Sequence, residues 1–160
     1  IEAMNNLIEW LPKNIPDDDE TTIVHGDYRL DNMILRNNEV IGILDWELST
    51  LGHPIADFSY HCLSWRTQEA FWDEAKLKEL GIPSEKEYME MYCKYSGKDL
   101  SKNWEFYMAF NMFKIAGILQ GILGRVRDGT AASKHAEERG NMVFPLSEAA
   151  WSTIEENFLK

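Results

Sequence analysis

Asp27, Asn32 and Asp45 stand within one short span, "IVHGDYRLDNMILRNNEVIGILDWE", residues 23 to 47. The first two form D-x-x-x-x-N directly behind His25, and Asp45 follows after two apolar runs. Carboxylate and amide oxygens that leave room for water are the ligands Mg²⁺ takes, because the ion demands octahedral oxygen coordination and dehydrates reluctantly. A further carboxylate nearby, not needed as a ligand, can take a proton from an attacking hydroxyl. These are the parts of phosphoryl transfer: phosphates positioned by metal, a nucleophile oriented by a base, and fixed charge to meet the charge that spreads in the transition state. The plainer reading of Asp27 and Asn32 is turn and cap duty, which both residue types perform by hydrogen bonding to nearby backbone.

Such side chains converge only if the chain folds back between them. "NMILR" and "EVIGILDW" are β-rich runs joined by Asn37-Asn38, residues that tolerate the positive φ of a tight hairpin. The hairpin would carry Asn32 at the start of one strand and Asp45 at the end of the next, with a short strand in "TTIVHGD" leading to Asp27. Elsewhere the pattern is helical. Ile1, Met4, Leu7, Ile8 and Leu11 repeat at helical spacing, and Pro12 and Pro16 close that helix before the solvated "DDDE" loop. A helix opens at Pro54. A second covers about 67 to 80 and stops at Gly81. Ser84 to Glu87 form a capping box opening a third, which runs toward Gly97. Residues 103 to 124 are apolar nearly all round; Glu105, Asn111, Lys114 and Gln120 favour a buried core helix over a membrane span. Two more helices fit 131 to 139 and 146 to 158. The expected fold class is α+β and mainly helical, with one small hairpin region.

"HGDYRLDN" followed by "ILDWELSTLGHPIADFSY" resembles the catalytic and metal-binding loops of the aminoglycoside phosphotransferase and choline kinase family, small-molecule relatives of protein kinases. With the later "QGILGR", the wording is most similar to the kinase-like domains related to those fused to acyl-CoA dehydrogenases. The resemblance implies the C-terminal lobe of a protein-kinase-like fold. It implies Asp27 as catalytic base, Asn32 and Asp45 as Mg²⁺ ligands, ATP as phosphoryl donor and a small-molecule hydroxyl as acceptor. Arg29 stands where protein kinases often place a Lys near the transferred phosphate, though many members of this family have His there. It would either stabilise transition-state charge or form a surface ion pair with Asp31 or the acidic loop. His25 and Asp57 are expected to brace the loop rather than react. Trp46 replaces the aromatic of D-F-G and is expected in the core. Glu47 stands where protein kinases have Gly, so no mobile switch is implied; it is either an additional metal ligand or a support for one.

Arg125 and Arg127 would either receive an anionic acceptor or close a helix C-terminus, where the dipole favours cations. His53, His61 and His135 lie at no metal-ligand spacing. The resemblance also implies a missing partner, since no Gly-rich phosphate loop or strand Lys precedes His25. The expectation is therefore a single unit, residues 1 to 160, that lacks the N-terminal nucleotide lobe and is able to pair with a second copy through the uncovered face. A kinase-like module that binds without catalysing is the alternative.

Composition sets the outer limits. Of 160 residues 44% are hydrophobic, enough for a sizeable core, and the 27 acids against 16 bases give a net charge of −11. Such a surface repels nucleic acid and anionic membrane, so neither is an expected partner. Cys62 and Cys93 are far apart and form no CxxC pair, so both are expected as buried free thiols in a reducing, cytoplasmic setting.

Overall fold

The computed structural model describes residues 1–18, 20–67, 74–100 and 102–160. The chain divides into two units: Asp18–Trp104, and Ile1–Asp17 together with Glu105–Lys160.

In the first unit, strand β1 (Thr22–Val24) pairs antiparallel with β4 (Thr50–Gly52), and β2 (Met33–Arg36) pairs with β3 (Glu39–Ile43). Asn37 and Asn38 have φ of 51° and 63°, the left-handed pair a two-residue hairpin needs, so the expected turn forms at the expected residues. The register slips by one between Ile34 and Leu35, an irregularity that periodicity does not reveal. Helix α2 (Pro54–His61) starts with Pro at its first position, and His53 caps it by accepting the Ile55 N–H on Nδ1 at 3.2 Å. His53 Nε2 also lies 3.2 Å from the Asp18 carboxylate. Helix α3 covers Glu74–Glu79 and closes at Gly81, φ 70°. The remainder of the helix expected from 67 to 80 falls largely at 68–73, outside the described residues.

Helix α4 (Glu85–Ser96) opens on the expected box. The Ser84 hydroxyl accepts the Glu87 N–H, the Glu87 carboxylate accepts the Ser84 N–H, and Gly97 ends the helix at φ 73°. Phe58 joins α2 to α4 by stacking on Tyr92, with ring centroids 3.9 Å apart, and it tilts against Trp104 at 5.6 Å. Burying that ring contributes about 2–3 kcal/mol. Arg66 grips Glu85 through Nε and Nη2 at 2.7–3.0 Å, and the Trp104 indole N–H donates to the same carboxylate at 2.8 Å. Both ions are partly shielded from water, with side chains 28% and 19% exposed, and removing either would leave its partner unpaired.

In the second unit, α1 (Glu2–Trp10) packs on α7 (Val143–Phe158). Met4, Ala116 of α5 (Trp104–Arg127) and Val143 form its buried centre, with Phe113, Leu119, Leu123 and Leu146 against them. Trp10 lies between Phe106 and Phe158, its centroid 6.2 and 5.1 Å from theirs. α6 (Ala136–Asn141) approaches α5 so closely that a Cβ at Gly140 would lie 2.6 Å from Leu123 Cγ.

Four expectations about the helices and cysteines change. α5 is not buried all round: Met108, Ala109, Met112 and Ala116 are, but Phe110 and Ile118 are exposed, because a helix in a helical layer covers only its inward stripe. α6 begins five residues later than expected, at Ala136, since Ser133 holds the preceding turn by accepting the His135 N–H on Oγ and the Ala136 N–H on its carbonyl. α7 begins three residues earlier, at Val143, with Pro145 in its first turn, where an absent N–H costs no intrahelical bond. Cys62 is fully buried but Cys93 only partly, and both are free thiols.

Candidate active site

β1 delivers His25 and Gly26 to the base of the loop. Gly26 has φ 84°, and a Cβ there would lie 2.5 Å from the Leu48 carbonyl oxygen, so only glycine fits. The Asp57 carboxylate, from the first turn of α2, accepts the backbone N–H of His25 and that of Gly26, the latter at 2.8 Å. His25 is buried. Its Nδ1 accepts the Asp27 N–H at 3.2 Å, so Nε2 carries the hydrogen and donates to the Leu44 carbonyl at 2.7 Å. One imidazole thus ties the Asp27 loop to the end of β3. Trp46 lies against that imidazole, centroids 4.7 Å apart, but is 47% exposed rather than in the core. Its indole N–H donates to the Ile43 carbonyl, and this holds the ring at the rim of a one-turn helix, Trp46–Leu48.

Asp27 is mostly enclosed, with its side chain 20% exposed. Oδ1 accepts the Tyr60 hydroxyl at 2.6 Å, and Oδ2 accepts Asn32 Nδ2 at 2.9 Å. The Arg29 guanidinium stands 3.4 Å from Oδ2 and 3.6 Å from the Asp31 carboxylate, and is itself half exposed. Arg29 therefore bridges the two acids. Burial, followed by the hydrogen bond to Asp27, pushes the Tyr60 phenol well above its ordinary range, which keeps it a neutral donor. Tyr28, next to Asp27, packs on the His61 ring at 5.5 Å, and burial holds that imidazole below its usual range.

Asn32 is buried, and its Nδ2 donates twice to Asp27, to the carboxylate and to the carbonyl, each at 2.9 Å. Those bonds fix the amide so that Oδ1 faces away from Asp27. The Leu44 N–H donates to the Asn32 carbonyl at 2.8 Å, which extends the hairpin by one rung and sets Asp45 just beyond it. Asp45 has φ 65°, a left-handed conformation that Asp tolerates and most side chains do not. Its carboxylate is exposed. Asn32 Oδ1 and the Asp45 carboxylate are a donor set that fits Mg²⁺ with its remaining positions on water or phosphate oxygen. No cluster of three His, Cys, Asp or Glu side chains is assembled for a metal among the described residues. Glu47 sits exposed in the turn after Asp45. Arg125 and Arg127 lie in the last turn of α5, in the other unit, where the chain closes through the Thr130 N–H to the Arg125 carbonyl.

Sequence reasoning overlooked Tyr60 and gave His53 no role. Tyr60 stands one helical turn after Asp57, so D-x-x-Y places both on one face of α2 and was the available signal.

A profile of the phosphotransferase enzyme family matches residues 1–92. Acyl-CoA dehydrogenase family member 10 of Mus musculus is 44% identical over 158 residues, 94% of this chain and 15% of that protein. Acyl-CoA dehydrogenase family member 11 of Homo sapiens is 39% identical over 165 residues, 99% of this chain and 21% of that protein. A crystal structure from Ralstonia eutropha JMP134, provisionally described as an aminoglycoside phosphotransferase, superposes with a TM-score of 0.87 at 48% identity, covering 98% of this chain and 50% of that one. The chain thus spans about a fifth or less of these two relatives and half of the solved one.

Proposed function

The chain belongs to the phosphotransferase enzyme family, and on that premise we propose that it is the catalytic C-terminal lobe of an ATP- and Mg²⁺-dependent kinase acting on a small-molecule hydroxyl. The observation that carries the reading is the linkage of its three polar residues. Asn32 donates to Asp27 from one end of its amide, and its backbone holds the rung beyond which Asp45 turns.

In this reading Asp27 orients the acceptor hydroxyl and takes its proton as the oxygen attacks the γ-phosphorus and the bond to the β-phosphate oxygen breaks, releasing ADP. The hydroxyl approaches Oδ2, where the Arg29 pair is a long contact at 3.4 Å. Arg29, half exposed and paired also with Asp31, would turn from Oδ2 to meet the equatorial phosphoryl oxygens. Asn32 Oδ1 and Asp45 would hold Mg²⁺, which when bound supplies neutralising charge at the phosphates. The acceptor is a hydroxylated small molecule of the aminoglycoside, choline or hydroxyacyl kind. A chain of net charge −11 favours a cationic one, whereas the acyl-CoA dehydrogenase relatives favour a hydroxyacyl group.

The test is incubation of the full-length protein with γ-labelled ATP and a panel of such acceptors. Label should pass to an acceptor, and Asp27→Asn should lower kcat by roughly 10²-fold or more while the fold is kept. Label released only as inorganic phosphate, or an Asp27→Asn variant with parental turnover, overturns the reading.

A further inference from the structure

We infer that Tyr60 is a positioning residue for the proposed reaction, one that sets the orientation of the Asp27 carboxylate. The inference rests on Asp27 being the base.

α2 meets the loop at two points one turn apart. Asp57 accepts the N–H groups of His25 and Gly26 and so fixes the loop's backbone. Tyr60 donates to Asp27 Oδ1 at 2.6 Å and so fixes the carboxylate that the backbone carries. The helix is placed for both by its His53 cap and by Phe58, whose ring is buried against Tyr92 and Trp104.

Donors on Asp27 differ in kind. Asn32 is buried but neutral, and its amide also serves the Asp27 carbonyl. Arg29 is charged but 3.4 Å away and 53% exposed, so solvent screens it. Tyr60 gives Oδ1 a 2.6 Å bond from a partly buried hydroxyl, one that remains protonated throughout the neutral range. Tyr60 therefore holds Oδ1 and with it the rotation of the carboxylate, so that Oδ2, which Asn32 also holds, is presented where the long Arg29 contact would give way to the acceptor hydroxyl.

Tyr60→Phe keeps the ring and removes the donor. In the full-length protein it should lower kcat by about tenfold, the scale of one hydrogen bond to a charged group, with KM for ATP unchanged. Tm of Tyr60→Phe measured alongside reports any loss of folded protein, and kcat is taken per folded molecule. Site-specific 3-fluorotyrosine at position 60, which keeps a hydroxyl donor on a ring of nearly the same size, should restore kcat to the parental level. Unchanged kcat in Tyr60→Phe overturns the inference, as does a 3-fluorotyrosine protein that stays as slow as Tyr60→Phe. Asp27→Asn run alongside separates the two levels: if it turns over normally, the base assignment fails, whereas an inactive Asp27→Asn beside a parental Tyr60→Phe removes only the role given to Tyr60.

Discussion

Asp57 accepts the backbone N–H of Gly26 at 2.8 Å, although 31 positions separate them in the chain. The bond joins the start of a helix to the end of a strand, at a glycine whose φ of 84° no larger residue would hold comfortably. Asp57→Ala leaves two enclosed N–H groups without their acceptor and should cost about 2–4 kcal/mol. Gly26→Ala drives a Cβ into the Leu48 carbonyl and should cost a similar amount. Thermal unfolding of both variants is the check, with Tm expected to fall by on the order of 10 °C. An unchanged Tm in both would mean that the loop is held by other contacts.

Asp45→Ala removes the exposed carboxylate beyond the hairpin. In the full-length protein, the Mg²⁺ concentration for half-maximal activity should rise by at least about tenfold, the loss of one good charged ligand, or turnover should vanish. Overlapping metal titrations of variant and parent would show that Asp45 binds no metal. The hairpin should survive, because its turn residues and register lie elsewhere.

How far these arrangements were legible depended on the range of the forces behind them. The Asn37-Asn38 turn and the Ser84–Glu87 box are set by residues within four positions of each other, and both stand where the letters place them. The D-x-x-x-x-N spacing likewise puts Asn32 within reach of Asp27 through a single turn. Tyr60 was missed because its partner lies 33 positions away, and nothing in "DFSY" says which neighbour its hydroxyl meets. Trp46 was misplaced because an apolar residue type does not reveal which side of a turn faces solvent. α5 was overread for the same reason: a sequence apolar on all sides does not tell how many of its faces have partners.

The buried acids with raised pKa predict an alkaline limit to stability. Burial raises the Cys62 thiol well above its ordinary 9.0, and raises the phenols of Tyr60, Tyr88 and Tyr92 above their ordinary 10.0. In each case the folded state holds the proton more tightly than the unfolded chain. The stability they contribute is therefore complete below the ordinary values and is lost as pH rises through them toward the folded ones. Tm should be flat with respect to these groups from neutral pH to just below 9 and fall steadily above it. Cys62→Ala should move the onset of that fall toward pH 10 while lowering Tm at neutral pH through the cavity it leaves. A Tm that holds level through pH 11 would contradict the burial of these groups.

The last prediction concerns nucleotide affinity. In phosphotransferases of this kind ATP is enclosed between a β-rich N-terminal lobe, which carries a phosphate-binding Lys, and the C-terminal lobe that supplies base and metal ligands. The solved relative from Ralstonia eutropha is about twice as long as the region this chain matches. The described strands carry Asn32 and Asp45 at their ends, but the Ile23–Leu51 cross-strand pair lies open, each side chain 72% exposed. Pockets normally enclose about 70–90% of a ligand's surface, and on the proposed C-terminal-lobe reading a site walled on one side gives up most of that burial. The 160-residue chain expressed alone should therefore bind Mg·ATP no better than roughly millimolar and show no turnover, while full-length protein binds in the micromolar range. Isothermal titration of both proteins makes the comparison. A micromolar Kd for the 160-residue chain would mean that its own residues complete the nucleotide site and that it is not the C-terminal half of a two-lobed one.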